Sequence, residues 1–359
     1  MIIQKVRDFM YVERLKKLIS VIPANATLIL SPENLYYFSG FTGGEGMLYI
    51  DKNRLLLFTD SRYTLQAKDE SPDFEVIDTK DTSIAEFLKS QGDKAYGFED
   101  DFVTFSTFTN LKRHAPKSVF SPVSSHIDKI RMIKDETELS YIKKAASIAD
   151  KAYSYILDKI EPGKTEREIS LDLEYFMLNS GADGLAFETV SASGVRSSLP
   201  HGRATDKVIE KGDFFTLDFG CKYKGYCSDM TRTVVIGKAT DKQKEIYDIV
   251  LSAQKASLDT VCAGELAKAV DDAARGIIES AGYGPNFGHG LGHSVGLKVH
   301  ELPSCSPRSQ DVLCENMMMT IEPGIYIENF GGVRIEDLVC IKSDGYENFT
   351  TSKKELTEL

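Results

Sequence analysis

The chain has 359 residues, 42% hydrophobic and 27% charged, a composition that supports a sizeable core and more than one domain. A formal net charge of −11 and a pI of about 5.2 argue against a nucleic-acid partner, which needs a basic footprint. The opening stretch MIIQKVRDFMYVERLKKLIS is charged throughout, so it reads as neither a signal peptide nor a membrane span.

Val6 to Leu18 has the spacing of an amphipathic helix. After it, ATLILSPEN, GMLYIDK, RLLLFTD and EVIDT read as strands, and SIAEFLKSQG and FSTFTNLKRHA as helices. This alternation predicts a small α/β domain over residues 1–125. The serine-rich turns and Pro122 in KSVFSPVSSHIDKIRMIKDE mark the boundary, near Ser121 to Ile130.

The second domain, 126–359, begins with a long helix whose first turn carries a capping box, Asp135 with Glu138. Thr165 with Glu168 opens the next helix. The strands ETVSASG, FFTLDFGCKY and YCSDMTRTVVIG follow. The order then recurs. Thr240 with Gln243 opens a helix, ELAKAVDDAARGIIESAGYG is another, and MMMTIEPGIYI and GVRIEDLVCI are paired strands. Two copies of helix, helix, hairpin predict a pseudo-symmetric α+β domain, its four helices covering one face of a shared antiparallel sheet.

Each hairpin carries two acids among apolar residues. Asp218 and Asp229 would face each other about a turn centred between Tyr223 and Lys224, and Glu322 and Glu336 about a turn centred on Asn329. Pseudo-symmetry would gather all four. Such a cluster cannot stay ionised in a low-dielectric interior without cations, and two divalent ions would balance it. With one histidine added, the set is oxygen-rich and suits Mn(II), Co(II) or Mg(II). The histidine comes from GHGLGHSVGLKVHE, which holds His289, His293 and His300; spacing alone does not choose among them. The six cysteines include no C-x-x-C pair, so reduced thiols and a cytoplasmic location are expected.

Taken together, TLDFG, CSDMTRT, GHGLGHSVGLKVHE, TIEPGIY and GGVRIED resemble the pita-bread metallopeptidases, and most closely their proline-specific branch, prolidase and aminopeptidase P. YYFSGFTGGEGMLYI and LLFTDSRYTLQA resemble that branch's smaller N-terminal domain. The resemblance implies metal ligands Asp218, Asp229, His293, Glu322 and Glu336, with Asp229 and Glu336 as bridges between two ions, Mn(II) or Co(II). It implies catalytic roles for His201, His300 and Glu322. Phe187 and Val299 would wall a proline pocket, with Arg334 and His289 among the substrate-side residues; Arg334 would also offset and orient the carboxylates, and His289 could instead stand behind the metal ligands. The expected activity is hydrolysis of short Xaa-Pro peptides, by an Xaa-Pro dipeptidase first and an aminopeptidase P second. A non-catalytic pita-bread binding protein, which would lack ligands, ranks lower. The resemblance also implies a homodimer, with residues 1–125 gating substrate and aiding dimerisation.

Overall fold

The computed structural model describes residues 9–359, and the chain divides between Arg131 and Met132. Helix α6 (Ser124–Met132) spans the stretch where the sequence places the boundary. The first helix, α1, spans Phe9–Val21; the expected residues Val6 to Asp8 lie outside the described part.

In the first unit a six-stranded mixed sheet has the order β4-β3-β2-β1-β5-β6. Its strands are β1 (Ala26–Ile29), β2 (Met47–Asp51), β3 (Leu55–Thr59), β4 (Glu75–Asp78), β5 (Ala95–Phe98) and β6 (Val119–Pro122). β1 to β3 are buried along their whole length, which is why they read as unbroken apolar runs. The helices are α2 (Pro32–Ser39), α3 (Thr64–Glu70), α4 (Ile84–Ser90) and α5 (Phe105–His114). α2 corrects the reading of ATLILSPEN as one strand. Ser31 caps it by accepting from the Asn34 amide, Pro32 occupies its first turn, and Gly40 ends it at φ 83°.

The second unit shows the repeat. Helices α7 (Glu136–Leu157) and α8 (Glu166–Asn179) precede the short strand β7 (Gly184–Leu185), β8 (Val190–Ser193), β9 (Phe214–Phe219), β10 (Cys221–Tyr223), β11 (Tyr226–Cys227) and β12 (Met230–Val235). Helices α9 (Asp241–Thr260) and α10 (Ala267–Ser280) precede β13 (Gly292–Ser294), β14 (Glu301–Cys305), β15 (Met318–Ile321), β16 (Gly324–Ile327), β17 (Gly331–Arg334), β18 (Asp337–Lys342) and β19 (Gly345–Asn348). The capping boxes expected at Asp135, Thr165 and Thr240 are all formed. Each helix pair buries its apolar stripe on its own hairpin. One core joins Ile148, Ile169 and Leu173 to Phe215 and Leu217; the other joins Val250, Val270 and Ala274 to Met319 and Val339.

The two halves meet along their central strands. The Glu336 amide donates to the Thr231 carbonyl, and Thr233 is hydrogen-bonded to the backbone of Arg334. Arg232, 1% exposed, reaches from β12 to the Asp337 carboxylate at 2.8 Å and to the carbonyls of Ser352 and Lys353, while Lys354 holds the other Asp337 oxygen at 2.7 Å. The C-terminal segment is thereby tied across both repeats. Arg232→Met should cost about 3 kcal/mol, since it leaves a buried carboxylate short of a partner. Urea unfolding measures this, and a loss under about 1 kcal/mol would show that the network contributes little.

Candidate active site

All of the expected site residues line one cavity of about 570 Å³ in the second unit. Two hairpins supply the carboxylates. In the second, β15–β18 and β16–β17 share one register, with Ile321 opposite Asp337 and Gly324 opposite Arg334, so Glu322 stands across from Glu336 about Asn329 at φ 59°. This is the expected pairing. In the first hairpin it is not. Asp218 lies opposite Thr231, because the turn sits on Lys224 and Gly225, both at positive φ, one residue later than expected. Such a two-residue turn matches the twist of the strands. The slip moves the pairing by two residues, so Asp229 stays on the same face, diagonal to Asp218.

Gly220 and Gly292 allow the close approaches that bring the acids in. A Cβ on either would fall 1.9 Å from a carbonyl oxygen, of Ser228 and of Thr320 respectively. Gly292 lets β13 lie against β15, where the His293 amide donates to Thr320 Oγ1 at 3.0 Å.

Asp218, Asp229 and Glu336 bring oxygens within 4.8 Å of one another. His293 Nε2 lies 3.3 Å from Glu322 and 3.7 Å from Asp229. Its Nδ1 is 3.1 Å from the Ser294 carbonyl, which only accepts, so Nδ1 carries the proton and Nε2 turns a lone pair to the acids. Asp229 thus belongs to two overlapping donor groups. A threonine from each repeat braces an acid of the second hairpin: Thr231 donates to Glu336 at 2.6 Å and Thr320 to Glu322 at 2.9 Å.

Arg334 is the cation set among these acids. Arg334 binds Asp218 at 2.6 Å, Thr231 at 3.0 Å and Tyr326 Oη at 2.7 Å. Burial, reinforced by Glu336, Asp218 and Glu322, pushes the Asp229 carboxyl well above its ordinary value. Burial also raises Glu336 strongly and Glu322 to about 7. Asp218 Oδ1 and Asp229 Oδ1 are buried without a hydrogen-bond partner. Orphaned oxygens, a free imidazole lone pair and a deficit of positive charge are what a divalent-cation site presents before it binds.

His289 and Arg334 line the cavity, yet their polar atoms are already engaged within the protein. His289 Nδ1 donates to the Gly290 carbonyl at 2.8 Å, and Nε2 accepts from Tyr326 at 2.9 Å. Burial lowers His289 to about 4, so the ring is neutral. The two belong to a chain His289–Tyr326–Arg334–Asp218 that holds a carboxylate in place, as expected of an arginine that orients the acids. Tyr326, Thr231 and Thr320 went unnoticed in the sequence. The signal for Thr231 was its alternation with Asp229 on one strand face. His300 packs edge-on against His293 at 4.4 Å between ring centroids, and Phe187 and Val299 are half-buried in the walls.

The chain matches metallopeptidase family M24 over residues 140–343 and the creatinase/prolidase N-terminal domain over residues 12–133. It is 42% identical to the Xaa-Pro dipeptidase of Pyrococcus furiosus over 96% of this chain and 99% of that one. Among solved structures, an Xaa-Pro dipeptidase from Bacillus anthracis superposes with a TM-score of 0.92 at 42% identity, covering 97% of this chain and 99% of the other. An X-Pro aminopeptidase from Thermotoga maritima gives 0.89 at 42% identity, covering 96% and 100%. No helix among the described residues is long and apolar enough to cross a membrane. With its acid-and-histidine centre on two pseudo-repeated hairpins, this chain belongs to metallopeptidase family M24, hydrolases that use divalent metal ions.

Proposed function

We propose that the protein is an Xaa-Pro dipeptidase holding two divalent ions, Mn(II) or Co(II). The observation that carries this reading is the pair of overlapping donor groups: Asp218, Asp229 and Glu336 in one, Asp229, His293 and Glu322 in the other. They open on a cavity walled by Phe187 and Val299, in a chain 42% identical to a protein named Xaa-Pro dipeptidase. Asp229 and Glu336 would serve both ions, and Asp218, His293 and Glu322 would be the remaining ligands.

Two ions held there would supply a water acidic enough to ionise near neutrality and would polarise the scissile carbonyl. The protein's own residues do the rest. Glu322 takes the proton of the attacking water and returns it to the prolyl nitrogen. His300, kept below the ordinary imidazole value by burial and by its neighbour His293, donates an N–H to the developing oxyanion. His201 contacts the substrate from the opposite wall. An Xaa-Pro bond offers no N–H to grip, so Phe187 and Val299 select by enclosing the ring.

Residues 1–125, most of which match the creatinase/prolidase N-terminal domain, would gate substrate length and aid homodimerisation. Six cysteines, none in a disulfide among the described residues and four of them buried, support a cytoplasmic enzyme. The test compares an Xaa-Pro dipeptide with Xaa-Pro-Xaa tripeptides, in metal-stripped protein restored with Mn(II) or Co(II). Preference for the dipeptide is expected. Preference for the tripeptide would make the protein an Xaa-Pro aminopeptidase, like the Thermotoga relative.

A further inference from the structure

Glu166 is fully buried at the start of α8, and both of its oxygens are saturated. Oε1 accepts from the Ser193 amide at 2.7 Å and the Ser193 hydroxyl at 3.0 Å. Oε2 accepts from the Thr205 amide at 3.1 Å and the Thr205 hydroxyl at 2.7 Å. Arg196 Nε lies against both oxygens at 3.1–3.2 Å, and its Nη2 donates to the Arg203 carbonyl at 2.6 Å. One carboxylate therefore pins both ends of the segment between Ser193 and Thr205, and through Arg196 its middle.

That segment carries Pro200, His201 and Arg203 into the cavity wall. The Ser191 amide also donates to the Gly202 carbonyl at 3.2 Å and Arg203 pairs with Glu188 at 3.0 Å, while His201 itself is exposed. A buried carboxylate costs folding free energy unless fully bonded, and here the bonds all go to one loop. None of these groups touches the carboxylates or the histidine of the metal centre.

We propose that Glu166, with Arg196, is a positioning residue that sets His201 against the substrate. The proposal rests on the dipeptidase reading for what His201 does, and on geometry alone for the clamp. The experiment uses the full-length, metal-loaded enzyme with Glu166→Gln, His201→Ala and the double variant. Glu166→Gln should lower kcat/KM on an Xaa-Pro dipeptide about tenfold or more, with metal content unchanged. In the His201→Ala background the same change should cost no more than about twofold, because the two act as one unit. Losses that multiply, lost metal in Glu166→Gln, or a His201→Ala enzyme with unchanged kinetics would each overturn the proposal. Should Glu166→Gln fold poorly, Arg196→Gln breaks the same clamp from its more exposed side, with the same expectations.

Hydrogen exchange reads the clamp without activity. The Ser193 and Thr205 amides should lose protection in Glu166→Gln while β9 and β12 keep theirs; unchanged protection would overturn the clamp. A wild type that leaves Xaa-Pro bonds intact would instead overturn the dipeptidase reading, with exchange still deciding the clamp.

Discussion

Asp229→Asn and Glu336→Gln should each lower metal content and reduce Xaa-Pro hydrolysis below about one thousandth of wild type, equivalent to about 4 kcal/mol of lost transition-state stabilisation. Each change is nearly isosteric, so packing survives and the effect is electrostatic. Asp229 is the more telling position, because it alone stands in both donor groups. Metal analysis beside steady-state kinetics checks the result. A variant that keeps a full metal complement and normal turnover would remove the assigned bridge.

The same substitutions should act with opposite sign on the metal-stripped protein. There, burial and mutual repulsion raise Asp229 and Glu336 and bring Glu322 to about 7. A raised carboxyl means the folded state holds protons that the unfolded chain gives up. Its stabilising contribution is complete below the unfolded value of about 4 and is lost as pH climbs through the folded value. Stripped wild type should therefore weaken between about pH 4 and pH 7, and Asp229→Asn should flatten that decline. Urea midpoints in chelator at both ends of the window decide it. An equally steep decline in the variant would mean that Asp229 does not carry the buried charge.

The chemistry of the site was legible in the sequence because it depends on residue type and face parity. Register was harder. The second hairpin could be paired correctly because its halves are equally long about Asn329. The first slipped by two because Lys224 and Gly225 take the positive φ that the turn needs, and nothing in the spacing of Asp218 and Asp229 reveals that. Parity rescued the conclusion, since an even slip leaves every side chain on its face. What the sequence hid were partners distant in the chain. Tyr326 and His289 come together only when β16 meets the glycine-rich loop, and Glu166 meets Thr205 only through the path of the His201 loop. In the first unit the missed α2 was announced by Ser31 and Pro32, a capping signal overrun by the apolar strand before it.

His300→Ala and His201→Ala should each lower kcat about 10²-fold or more and leave metal content near that of wild type. The two histidines differ from His293 in what they face. His293 presents its lone pair to Asp229 and Glu322, whereas His300 meets it edge to face and turns toward the open cavity. Burial first, and then the neighbouring His293, keep His300 below the ordinary imidazole value, which favours the neutral ring with an N–H to donate. A neutral donor aimed where negative charge develops contributes to the transition state more than to the ground state, so the loss should fall on kcat rather than KM. His201, on the loop that Glu166 is proposed to clamp, should show the larger change in KM of the two if it contacts the bound substrate as proposed. Loss of metal from either variant, under conditions where wild type retains it, would move that histidine into the metal centre.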